Sequence, residues 1–216
     1  GWALEHADTP LKSDRELVLA AVQLDGYALE CADAALRRDR AVVLEAVQQN
    51  GDALRYADAA LRTDRDFVLA AVQQSGSALR HAGRALKRDR DVALAAVRQN
   101  GNALKHADAA LRRDLGVVLA AVRQSGQALK WVDDDALKND EEVVLEATTQ
   151  TWRALMYASL ENFSDDVKNK IKDVAKKQWP EDDGDAAAGD AAAGDAAAGD
   201  AAAGDAAAGD GELVCR

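Results

Sequence analysis

The chain has 216 residues, 48% of them apolar, 30% charged and 4% aromatic, with a formal net charge of −11. Apolar content carried largely by alanine and leucine suits closely packed helices, and the acidic balance argues against a general nucleic-acid or anionic-membrane binder. Two cysteines, Cys31 and Cys215, are too few for a disulfide framework or a four-ligand zinc site, and no apolar run nears the roughly twenty residues of a membrane span.

From the N-terminus onward the sequence repeats itself. Gly1, Gly26, Gly51, Gly76, Gly101 and Gly126 are spaced by 25 residues, and their neighbours repeat with them. A full unit reads D-R-x-V-V-L-A-A-V-x-Q-N-G-x-A-L-x-x-A-D-A-A-L-R-x. It begins at Asp14, Asp39, Asp64, Asp89 and Asp114, with a degenerate sixth copy from Asp140. The chain opens on a partial unit, Gly1 to Ser13, so the array is expected to be an N-terminally truncated piece of a longer one.

Within a unit, Asp39 is a good N-cap for a helix A carrying Val42, Val43, Leu44, Ala46 and Val47 and ending near Gln49. The residue before each internal glycine is Asp25, Asn50, Ser75, Asn100 or Ser125, with Thr151 in the last copy. All are N-cap types with no advantage inside a helix. That column predicts a corner at the glycine and a second, short helix B (Ala53, Leu54, Ala57), in preference to one long kinked helix. The glycine would then either take a positive φ or let another backbone come close. A third turn, Asp58 to Arg62, leads into the next unit. Leu69, Val72, Leu79, Ala82 and Leu86 have counterparts in neighbouring units and are expected in the core, which one hairpin cannot bury alone but stacked copies can.

The array ends where an extra residue enters at Asp133-Asp134-Asp135, Thr148 replaces a repeated valine and Trp152 replaces the glycine. Beyond it, Ser164 can cap a helix from Asp165 to about Gln178 with Val167, Ile171 and Val174 on one face, read as a closing cap. From Glu181 the composition changes to GDAAA repeated five times and then GDGELVCR, a low-complexity segment expected to be disordered. The expected organisation is therefore an all-α solenoid of 25-residue helix-turn-helix repeats over 1–163, a capping helix over 164–180 and a Gly/Asp/Ala tail over 181–216.

The unit VLAAVQQSGSALRHAGRALKRDRDV resembles the tandem repeat of the domain of unknown function numbered 4116, whose pattern is V-L-x-A-V-x-Q-N-G-x-A-L-x-x-A followed by L-R-x-D. The resemblance runs from Gly1 to about Ala158. It implies no reaction, cofactor or catalytic residue. Gly83 in place of the usual aspartate, Leu115-Gly116 at the start of one helix A, and the altered last unit depart from the pattern.

Three columns could carry function. His6, His81 and His106 share one repeat position with Cys31, Tyr56, Trp131 and Tyr157. Stacked helices about 8–10 Å apart would leave two such histidines only marginally able to share a metal, so a half-buried ring column is expected. The corner residues Arg37, Arg38, Arg40, Arg62, Arg65, Lys87, Arg88, Arg90, Arg112 and Arg113 should form a basic ridge, as a site for phosphate or an acidic partner or as a salt network with the aspartate caps. Residues 76–132 hold eleven basic and four acidic groups, so the middle of the array is locally basic. Gln49, Gln74, Gln99 and Gln124 could line a peptide groove or simply be exposed helix ends. Asp133-Asp134-Asp135 lacks the glycine and terminal glutamate of a calcium loop and is expected to cap the following turn.

Neither a nucleophile elbow, a zinc-protease helix, a P-loop nor a dinucleotide glycine motif occurs in the sequence. The segment is thus expected to be a non-catalytic scaffold for a protein or peptide partner, without cofactor, with nucleic acid and membrane not expected as partners and an intracellular location as the default. The alternatives are a recognition or accessory segment of a larger enzyme or effector, or a binder of polyanions through the ridge.

Overall fold

The computed structural model describes Leu4, His6 and residues 8–178. The segment 181–216, read as a disordered tail, lies outside the described residues. Among the described residues every regular element is helical. Six helices of ten residues each recur at the repeat period: α1 (Arg15–Leu24), α2 (Arg40–Gln49), α3 (Arg65–Gln74), α4 (Arg90–Gln99), α5 (Leu115–Gln124) and α6 (Glu141–Gln150). A longer helix, α7 (Asp165–Gln178), comes after them.

Each of the six helices starts on an aspartate. Asp39 Oδ1 accepts from the amides of Ala41 and Val42 at 2.9 and 3.2 Å, satisfying donors that the first turn leaves open. The helix stops because Asn50 turns extended, at φ −150° and ψ 115°, while its own N–H still bonds back to the Ala46 carbonyl. The same asparagine then caps the next turn of chain, accepting from the Asp52 amide at 2.9 Å. The corner expected from the cap column is therefore present, and one residue closes one helix and opens the next.

Helix B is a 3₁₀ helix of six residues, as at Gly51–Tyr56, Gly76–His81 and Gly101–His106. Tight i→i+3 turns are used in short pieces of this kind. Each buries its glycine, the alanine two residues on and the leucine, while the next alanine of the motif lies just beyond as the C-cap. A further short turn, such as Ala59–Thr63 or Leu86–Arg88, returns the chain to the next aspartate cap.

Successive α-helices pack on one another, and so do successive 3₁₀ helices, giving a solenoid with one continuous core. Val42, Val43, Ala46 and Val47 of α2 are completely buried, and the same four positions are buried in α3, α4, α5 and α6. Burying one valine is worth about 1.5–3 kcal/mol, a gain a helix obtains on both of its apolar faces only with a neighbour on either side. Val72, Leu79, Ala82 and Leu86 are in this core as expected, whereas Leu69 is half-buried beside it, its place taken by Phe67 and Val68. Thr148, which replaces a valine, is buried with its hydroxyl donating to the Val144 carbonyl at 2.7 Å.

The helices at either end show which side faces which neighbour. In α1, Val18 and Val22 are buried against α2 while Leu17 is 40% exposed. In α7 the relation reverses: Val167 and Ile171 are buried against α6, and the positions that would face a further unit hold Lys168 and Lys172. A half-apolar, half-lysine helix closes that side of the stack. Lys170 pairs with Glu141 at 2.5 Å across the contact.

No described glycine of the corner column needs a positive φ; close approach explains it instead. A Cβ on Gly76 would stand 2.5 Å from the Ala96 carbonyl oxygen of the next unit and 3.0 Å from Asn100 Cβ, and Gly26, Gly101 and Gly126 meet the equivalent carbonyl. We expect Gly76→Ala to destabilise the chain by more than about 1 kcal/mol, since backbone must shift to admit the methyl. Gly116, in the first turn of α5, would meet mainly the flexible end of Arg90, so Gly116→Ala is expected to be neutral or to stabilise by up to about 1 kcal/mol. Urea melts of both variants check this, and equal effects would contradict it.

Candidate functional site

The corner ridge is largely occupied within the array. The arginine that opens each helix reaches the cap aspartate of the next unit: Arg15 to Asp39 at 3.0 Å, Arg40 to Asp64 at 2.7 Å, Arg65 to Asp89 at 2.7 Å and Arg90 to Asp114 at 3.2 Å. One carboxylate thus caps its own helix and receives the neighbour's guanidinium. These arginine bonds, together with the cap amides, hold the carboxyls of Asp39, Asp64, Asp89 and Asp114 below the usual range. The ladder ends at α5, where Leu115 stands in the arginine position.

A second ladder joins Arg38 to Asp58 at 2.9 Å and Arg88 to Asp108 at 3.4 Å. In the register between them the pair is Thr63 and Gly83, so both charged members are absent together, and a Cβ on Gly83 would meet Thr63 Cγ2 at 2.9 Å. The Gly83 amide still donates to the Arg62 carbonyl at 2.7 Å, as Asp58 does to Arg37 and Asp108 to Lys87, because that bond between units is made by backbone alone. Arg112 binds Asp133 at 2.7 Å, and Lys87 donates to the Arg80 carbonyl at 2.5 Å. Arg37 and Arg62 are half-buried, each with an enclosed Nε that lacks a bonding partner. Arg113 is exposed on the outer corner.

The glutamine column is part of the stacking as well. Gln99 Oε1 accepts from the Gly76 amide at 2.6 Å while its Nε2 points to the Gln74 carbonyl at 3.3 Å, and Gln124 repeats both contacts with Gly101 and Gln99. The side-chain amide bridges the corner of one unit to the helix end of the next. In the Asp133-Asp134-Asp135 run, Asp134 caps the turn Asp135–Lys138, Asp133 takes Arg112, and Asp135 is exposed beside Lys138.

The histidine column lies on the 3₁₀ layer. His81 is half-buried with Nε2 2.9 Å from Asp52 Oδ1, and its pKa is lowered by burial against the opposing carboxylate. Burial and the cations of Lys105, Arg80 and Lys87 lower His106 to about 4. His6 is exposed. Among the described residues no three His, Cys, Asp or Glu side chains gather as a metal-binding set.

A surface that reading along the chain missed lies beside these rings. Four residues after the corner glycine, the units hold Glu30, Arg55, Arg80, Lys105 and Lys130, so four consecutive 3₁₀ helices present a cation at one position. The next column is Tyr56, His81, His106 and Trp131. Arg55 lies 4.9 Å from the Tyr56 ring centroid, and Lys105 and Lys130 lie 5.8 and 5.0 Å from that of Trp131. The polar column on the other side is Asp52, Ser77, Asn102 and Gln127, with its carboxylate in one unit only, 3.6 Å from Arg80. A shallow cleft of about 90 Å³ opens in this stripe between Arg80, Lys105, His106, Asp52, Asn100 and Asn102. Scanning the repeat column by column for G-x-A-L-[RK] would have revealed it.

The model of the family described as a domain of unknown function (DUF4116) matches residues 1–37, 14–62, 39–87, 64–112 and 114–163. These overlapping stretches tile most of the chain, which belongs to the DUF4116 family as a tandem array of its repeat. No curated protein and no solved structure matches it. Among the described residues no helix is long and apolar enough to cross a membrane.

The glutamine bridge and the histidine column are each open to test. Gln99→Ala strips the buried Gly76 amide of its acceptor and should cost about 1–2 kcal/mol, whereas Gln73→Ala, an exposed neighbour, should cost less than about 0.5 kcal/mol. Equal losses in urea melts would contradict the bridge. The histidine column responds to pH. His106 takes a proton near 6.5 when unfolded but only near about 4 in the fold, so between those values the unfolded state binds more protons and stability falls as pH falls. The corner carboxylates, held below 3.8, stay ionised through most of that window. Between neutral pH and about 5, His106→Gln should lose less stability than the parent; parallel losses would contradict the assignment.

Proposed function

We propose that the array is a non-catalytic scaffold that binds a protein partner through the cation-and-ring stripe of its 3₁₀ layer, the partner contributing an acidic segment. The observation that carries this reading is how the charges are distributed. Arg15, Arg40, Arg65 and Arg90 are each matched by the cap aspartate of the next unit, while the stripe repeats Arg55, Arg80, Lys105 and Lys130 over four units with Asp52 as the carboxylate of the adjoining column. Matched exposed pairs contribute little beyond register, whereas a row in which cations outnumber carboxylates is electrostatically complementary to an acidic chain. Repetition at each unit suits an extended ligand better than a single reacting group. The corner ridge, with Arg113 and the half-buried Arg37 and Arg62, is the second candidate surface.

A fluorescent glutamate-rich peptide tests the reading by anisotropy on the full chain at low and moderate salt. Arg80→Glu/Lys105→Glu is expected to weaken binding tenfold or more, about 1.4 kcal/mol, with unchanged helicity, while Arg88→Glu/Arg113→Glu changes it less than about threefold. Loss confined to the corner variant would transfer the function to the ridge. A single-stranded oligonucleotide binding the stripe more tightly than the peptide would replace the protein partner with a nucleic acid.

A further inference from the structure

The chain carries an acidic segment of its own. Residues 179–216 hold ten acidic residues against Arg216, a net charge of −9 out of the total of −11, so the rest of the chain is close to neutral at −2. Within that segment Asp190, Asp195, Asp200, Asp205 and Asp210 recur every fifth residue, separated only by alanine and glycine. The stripe is its electrostatic counterpart: one cation per unit over four stacked units. We propose that the aspartate-repeat segment of this chain docks on the Arg55, Arg80, Lys105 and Lys130 stripe and competes there with acidic segments from outside. This rests on the stripe being the binding face.

Geometry permits the contact. At about 3.3–3.6 Å per residue, the 32 residues from 179 to 210 can span on the order of 100 Å. Four stacked units at about 8–10 Å apart extend over about 30 Å. Five residues reach at most about 17 Å, so consecutive aspartates can meet cations one unit or two units apart. Alanine and glycine offer no bulk to hold the chain off a surface ridged by Tyr56, His81, His106 and Trp131. Because both partners are periodic, many registers are equivalent, and binding needs no unique alignment. Tethering adds an effective concentration on the order of millimolar, enough to populate a contact too weak to form between separate molecules.

The test replaces Asp190, Asp195, Asp200, Asp205 and Asp210 by asparagine in the full chain, which leaves length and array untouched. Amide shifts of ¹⁵N-labelled parent and variant should differ at Arg55, Arg80, Lys105 and Lys130 at low salt. The difference should collapse at moderate salt, and in an Arg80→Glu/Lys105→Glu background. The fluorescent glutamate-rich peptide should bind the asparagine variant about threefold or more tightly than the parent. Identical shifts with equal peptide affinity in the two chains would overturn the docking while leaving the stripe as a binding face. Differences confined to Arg38, Arg88 and Arg113 would overturn it by placing the segment on the corner. Failure of the peptide to bind either chain would remove both this inference and the reading beneath it.

Discussion

Everything in this array depends on one close approach, that of a corner glycine to the last turn of the next unit's helix. The Ala96 carbonyl lies where a Cβ on Gly76 would have to stand, and the same carbonyl still accepts the Asn100 amide that ends α4. A side chain there would push the units apart. The valine pairs of adjacent helices would then lose the contact that makes their burial complete, because packed interiors tolerate little added volume. Glycine costs about 1 kcal/mol against alanine in a helix. Here it stands at the entry of a 3₁₀ turn, and the same approach to a carbonyl of the next helix recurs at Gly26, Gly101 and Gly126.

Polar groups are organised around that approach. A glutamine amide closes the glycine N–H, an aspartate serves both as cap and as receptor for the neighbouring arginine, and a backbone bond joins successive turns. Each device links one unit to the next, the one-dimensional coupling expected of repeat proteins. These contacts also absorb most of the basic ridge, so repeated like charge is concentrated on the 3₁₀ layer. There Arg55, Arg80, Lys105 and Lys130 form one row across four successive units.

The period, the caps and the corner were legible because they are local. Asp39 and Asn50 announce their roles within three residues, and Gly76 stands out against a helical pattern. The 3₁₀ form of helix B was not legible, because alanine and leucine at short spacing fit either helix. Partners from different units were hidden too. Arg65 and Asp89 lie 24 residues apart, and Gln99 reaches Gly76 across 23, separations at which no sequence spacing implies contact. Hence the sequence left open whether the corner arginines form a binding ridge or a salt network with the caps, and whether the glutamines line a groove or are exposed helix ends. The structure pairs most of those arginines and places Gln99 and Gln124 in the stacking. The stripe at Arg80 and Lys105 was overlooked for the opposite reason: single exposed cations are ordinary, and only stacking turns them into a row.

The stacking account is tested most directly by amide hydrogen exchange at the corner glycines. Gly76 and Gly101 donate to glutamine oxygens of the next unit and are buried, so their amides should exchange as slowly as the central amides of α3 and α4, in the globally protected class. Exchange at the rate of exposed loop amides would show that the units do not close on their glycines, and would contradict the account.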